Sequence, residues 1–176
     1  SVEGLDMPTF WRQSMICAGV ARQMGKRQGV NREFAYTAGL MHHVGIILIH
    51  LAWPDAVSLL AHAEASPGPA LLAQEHELFQ LDHCEVGAEL ASRWNFPPSI
   101  QNALRWCAEP LAEDAGPLAA VVNLAEAVTQ GLLAGDDPEK ISVLLDPAVL
   151  ARLSFSRADA QKRIEACVDL PASVEV

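Results

Sequence analysis

Three histidines are the residues of this chain whose types and spacing could do chemistry. His42 and His43 lie side by side in GLMHHVG, and His83 opens the stretch DHCEVGAEL. Imidazoles from separate helices, converging with a carboxylate, are how a helical bundle builds a metal site that activates water. Neighbouring residues on one helix point about 100° apart, so only one of His42 and His43 is expected to face a given ion. The competing reading is of core or capping histidines whose ring nitrogens are satisfied by neighbours, and the spacing leaves both open. Cys17, Cys84, Cys107 and Cys167 are far apart and form no CxxC pair. With no basic-then-apolar leader in the first ten residues, they read as reduced thiols of a cytoplasmic protein.

Composition narrows the partners. Twelve Lys and Arg stand against 22 Asp and Glu over 176 residues, a formal charge of −10. Phosphate backbones repel such a chain, so a nucleic-acid partner is not expected. Hydrophobic residues make up 51% and charged residues 19%, enough apolar mass for a real core, which excludes intrinsic disorder. Positions 34–54 carry no formal charge. That run is broken by Gly39, His42, His43, Gly45 and His50, so a buried helix pair is expected there rather than a membrane span.

The elements that must position these residues are helices. Pro8 opens a first helix reaching about Gln28, and Asn31 caps a second through His43. A short apolar helix to Trp53 follows, then one from Pro54 to Ala65, and a turn at Ser66-Pro67-Gly68-Pro69. Further helices are expected from Ala70 to Phe79, from the Asp82 cap to Asn95, from Pro98 to near Ala108, and from Pro117 to Leu133. Val86, Leu90 and Trp94 recur every fourth residue on one face of the Asp82 helix. Asp137-Pro138 and Asp146-Pro147 are cap-plus-proline starts. Ser156 with Asp159 imitates a capping box that opens a last helix to about Val168. No stretch alternates with period two for long, so the fold expected is all-α, with nine or ten helices.

Four stretches carry a family resemblance: FWRQSMICAGVARQMG, AYTAGLMHHVGIILI, EHELFQLDHCEVGAELASRWNFPPSIQNALRW and VVNLAEAV. In this order and spacing the chain resembles the HDOD domains, HD-related output domains of bacterial signalling proteins within the HD phosphohydrolase superfamily. The resemblance covers about residues 10 to 130. It implies an HD-like helical bundle over 1–130, with 131–176 a C-terminal helical extension packing on it. It also implies that the chain is a piece of something longer, because a further helical segment usually precedes FWRxS.

The family's ligands carry over incompletely. The first histidine of the HD set falls on Gln13, a poor ligand for transition metals. The HD dipeptide keeps its histidine as His42, but its aspartate is His43. The lysine that often follows is Ile46. His83 matches a family histidine, Cys107 with Ala108 replaces a frequent His-His pair, and the late aspartate is Glu126. The vestigial site is therefore Gln13, His42, His43, His83, Cys107 and Glu126, with no catalytic residue and no resident metal expected. If an ion binds at all, His42, His83, Cys107 and Glu126 form a mixed set suited to zinc.

The function this implies is a non-catalytic bacterial output domain. It would act through contacts with receiver, diguanylate-cyclase or kinase-type domains, or with a second copy as a homodimer. The alternatives are a metal-dependent phosphohydrolase with a rearranged site, and a sensor whose cleft holds a small anion or nucleotide, with Gln13, His43 and Arg105 lining it.

Overall fold

The computed structural model describes residues 2, 4–26, 29–60 and 68–175, with the side chains of residues 57 and 58 left aside. Among these the fold is helical throughout, with ten helices of six residues or more. Local chemistry sets most boundaries. The Asp6 side chain accepts from the Thr9 N–H and opens α1 (Met7–Met24). Asn31 accepts from the backbone N–H groups of Glu33 and Phe34 and opens α2 (Arg32–Met41). Proline occupies the first turn of α5 (Pro69–Phe79), α7 (Pro98–Trp106), α8 (Pro117–Leu133), α9 (Pro138–Leu144) and α10 (Pro147–Arg152). There its missing N–H leaves no helix bond unmade.

Two complete capping boxes stand out. Asp82 and Glu85 exchange side-chain and backbone bonds at the head of α6 (His83–Arg93), and Ser156 and Asp159 do so at the head of α11 (Arg157–Glu165). Asp82 also accepts from His76 at 2.8 Å. Replacing Asp82 by Ala should therefore cost about 1–2 kcal/mol, read as a lower urea midpoint with an unchanged slope.

The structure departs from the expected boundaries where tertiary contacts intervene. The first helix stops at Gly25, before the expected end at Gln28, which lies outside the described residues. The Pro54 helix is a single turn, α4 (Pro54–Val57), continued by a 3₁₀ turn over Ser58–Leu60; its expected end at Ala65 and the Ser66-Pro67 turn lie outside the described residues. The Asp82 helix ends at Arg93, with Asn95 in the left-handed region at φ 57°. The last expected helix ends at Glu165, and a short α12 (Leu170–Ser173) follows it.

The core is centred on α8, which buries ten of its 17 residues and leaves one strip, Asn123, Glu126, Ala127 and Gln130, on a cavity. It packs against α1, α2, α7, α9 and α10. The same core takes in Val149, Leu150 and Ile164 from the C-terminal helices, so residues 131–175 close over the bundle rather than trail from it. Val86, Leu90 and Trp94 are not the buried face of α6. His83, Cys84, Gly87 and Ala91 are, and Trp94 is 61% exposed. Arg22 pairs with Glu33 at 2.9 Å and lies over Tyr36, while Arg27 lies outside the described residues.

By length and composition the run Arg32–Ala52 is apolar enough to cross a membrane. Here it is two helices, α2 and α3 (Val44–Ala52), broken at His42–His43, with Ala35, Ala38 and Ile49 in the core.

Candidate functional site

The break at His42–His43 creates the site. The second helix was expected to run on through His43, with its two imidazoles diverging. Instead α2 ends at Met41, and His43 sits at φ −105°, ψ 6° before α3 begins. The rings end up 3.7 Å apart between centroids. Gly39 sets the approach of α2 to α1: a Cβ there would lie 2.9 Å from Ala21 Cβ and 3.0 Å from the Cys17 carbonyl oxygen. That close crossing carries His42 to within 4.0 Å of Cys17 Sγ.

His42 is almost fully buried, and both its ring nitrogens face oxygen acceptors. Nδ1 lies 2.7 Å from the Gly39 carbonyl oxygen and Nε2 2.9 Å from Glu126 Oε2. Both nitrogens donate, so the ring is an imidazolium. Burial alone would lower its pKa, but Cys17 and the Glu126 carboxylate outweigh this and hold it well above the ordinary histidine range. Glu126 is held well below the ordinary carboxylate range. Burial would raise it, and the His42 imidazolium and the Gln130 amide at 2.9 Å outweigh that.

His43 is the neutral member. Burial first, then the neighbouring His42, push its pKa well below the ordinary value. His83 meets it edge-on, with centroids 5.7 Å apart and rings at 75°. The α6 N-terminus carries His83 into the interior, where Glu75 of α5 receives it. One Glu75 oxygen accepts from the His83 backbone N–H at 2.9 Å and from Nδ1 at 2.8 Å. The Glu75 and His83 side chains are 1% and 2% exposed. Burial would depress His83, but Cys84 and the Glu75 carboxylate raise it to about 10.

His42, His43, His83, Cys107 and Glu126 line one cavity of about 250 Å³. Gln13 lines a neighbouring cavity of about 240 Å³, which shares His43 and Gln130 with the first. Arg105 lines neither; it lies over the Trp106 ring and faces Glu85. Cys107 donates to the Leu104 carbonyl oxygen. Its contact, together with burial, pushes the Cys84 thiol far up, which marks Cys84 as an inert packing residue.

The donors present do not suit the oxygen-preferring ions of HD hydrolases. A Mg²⁺ or Mn²⁺ centre needs several oxygen ligands, and the His42 cluster offers one carboxylate, beside a thiol. Nor does the expected zinc set close. Among the described residues His42 and Glu126 converge with Cys17, all within 4.8 Å, whereas His83 and Cys107 join no such group. The reason is packing: Glu75 holds one face of His83, and the Cys107 thiol is spent on the Leu104 carbonyl. A second trio, His76, Asp82 and Glu85, also converges, but its two carboxylates are committed to capping α6.

Cys17, Glu75 and Gln130 were missed from sequence. Cys17 is one helical turn beyond Gln13 and Gln130 one turn beyond Glu126, so a search of the same helix face would have found both. Glu75 follows the apolar start of α5 in LLAQE, four residues after Leu71 and so on the same helix face as that buried leucine.

With this geometry in view, the comparisons are consistent. The HDOD domain family model matches residues 1–110. An uncharacterised protein of Treponema pallidum is 28% identical over 99 residues, spanning 55% of this chain and 19% of its own length. The MmoQ response regulator of Methylococcus capsulatus is 28% identical, with TM-score 0.65, over 93% of this chain and 62% of that one. A structure from Shewanella amazonensis, named a candidate phosphohydrolase, is 21% identical with TM-score 0.77, over 98% of this chain and 65% of that one. The chain thus spans about a fifth of the Treponema protein and under two-thirds of either solved chain.

Proposed function

Because the chain belongs to the HDOD domain family, a signalling-related branch of the HD-like fold, we propose that it is an output domain that transmits a signal through protein contacts and performs no hydrolysis. The observation that carries this reading is the donor set around His42. It offers a single carboxylate, Glu126, beside the Cys17 thiol, where an oxygen-preferring hydrolytic ion needs several oxygen ligands. His43 stands where a bridging carboxylate would be needed, and Ile46 supplies no cation for a phosphate. The likeness to a response regulator supports the signalling role. Receiver, diguanylate-cyclase or kinase-type domains are the partners proposed, with a symmetric homodimer as the default assembly.

Purified protein with Mg²⁺, Mn²⁺ or Zn²⁺ should hydrolyse bis(p-nitrophenyl) phosphate and cyclic dinucleotides no faster than its His42→Ala variant does. Turnover that vanishes in His42→Ala would overturn the reading.

A further inference from the structure

We infer that Cys17, His42 and Glu126 form a binding site for a thiophilic divalent ion of the zinc class, beside the 250 Å³ cavity that His42 and Glu126 line. The donor set is one sulfur, one imidazole nitrogen and one carboxylate oxygen, each from a different helix: α1, the end of α2, and α8. Its sulfur comes from a position outside the HD ligand set, so the preference for metal differs in kind from that of the hydrolases.

The separations bracket those that such an ion needs, so small side-chain shifts would seat it. Bond lengths of about 2.0–2.3 Å in a tetrahedral sphere place ligand atoms about 3.3–3.6 Å apart. Here Nε2 lies 4.0 Å from Cys17 Sγ and 2.9 Å from Glu126 Oε2, on either side of that range. The outer contacts are those of a prepared ligand set. His42 Nδ1–H is fixed by the Gly39 carbonyl oxygen at 2.7 Å, the bond that orients metal-bound histidines, and Gln130 Nε2 steadies the other Glu126 oxygen at 2.9 Å. Cys17 is fully buried, but His42 and Glu126 open on the cavity, which gives the ion an entry path.

Binding is an exchange of protons for metal. The Cys17 thiol and His42 Nε2 each release one proton to solvent, and Glu126 turns from accepting the His42 N–H bond to ligating the ion. Loss of the His42–Glu126 bond on loading re-ties the end of α2 to α8 through the ion.

The test is titration of the tag-free, reduced protein with Co²⁺, followed by competition with Zn²⁺. One equivalent of Co²⁺ should give the visible bands of a four-coordinate centre and an ultraviolet thiolate-to-cobalt charge-transfer band, both bleached by Zn²⁺. Cys17→Ser should lose the charge-transfer band and weaken binding at least about tenfold. Cys84→Ser and Cys107→Ser should keep the band, and circular dichroism should show each variant folded. Absence of the band in the native protein, or its survival in Cys17→Ser, would overturn the site. Ion binding without phosphodiester turnover supports the site and leaves the output role intact. Binding with turnover supports the site and removes that role.

Discussion

Gly45→Ala should cost about 3–5 kcal/mol and lower the melting temperature by roughly 10 °C or more. Gly45 lies in the first turn of α3 against the start of α6. An added Cβ would overlap the His83 carbonyl oxygen and lie 2.7 Å from its carbonyl carbon and 3.0 Å from its Cα. These are backbone atoms, so no side chain can swing aside. The helices must separate, and α3·α6 is one of the larger interhelical contacts in the fold. Separation also drags His83 away from Glu75 and opens the cavity wall at His43. Thermal melts of the two proteins decide the matter, and a variant within 2 °C of the parent would overturn this prediction.

The second large effect is expected at Glu75. Removing it in Glu75→Ala strands a buried imidazolium and the His83 backbone N–H together. Breaking a buried pair from one side costs about 3–5 kcal/mol. The sign of its pH dependence follows from His83, whose pKa in the fold is raised to about 10 against an ordinary value of 6.5. A group raised on folding stabilises fully below its unfolded pKa and loses that contribution as pH climbs through the folded one. The parent should therefore lose stability between about pH 6.5 and 10 as His83 deprotonates, and Glu75→Ala should show a shallower slope, because Cys84 still acts on the ring. The gap between the proteins is widest near pH 6.5 and narrows toward pH 10. Urea melts across that range check it; a constant gap would mean that His83 is neutral throughout.

Much of this architecture was legible because helix starts are local. Asn31, Asp82, Asp137, Asp146 and Ser156 all cap as their spacing foretells, since each needs only its own side chain and an N–H two or three residues on. The site was legible in membership and not in arrangement. His42, His43, His83, Cys107 and Glu126 do share a cavity, yet MHHV contains no glycine or proline to announce the break that stacks two histidines. That break answers to helix crossings at Gly39 and Gly45, which are long-range. Periodicity likewise marked Val86, Leu90 and Trp94 as one apolar face of α6, but a period cannot say whether that face looks inward.

The outward face has a practical consequence. Three of the four indoles, Trp11, Trp53 and Trp94, are 38%, 40% and 61% exposed. The isolated chain should therefore emit at long wavelength, with Trp94 the ring most open to quenching by a small solute. Anything that settles over α6 or the ends of α1 and α3 dries an indole and moves the spectrum toward the blue. The molecule thus carries its own label for finding what it docks with.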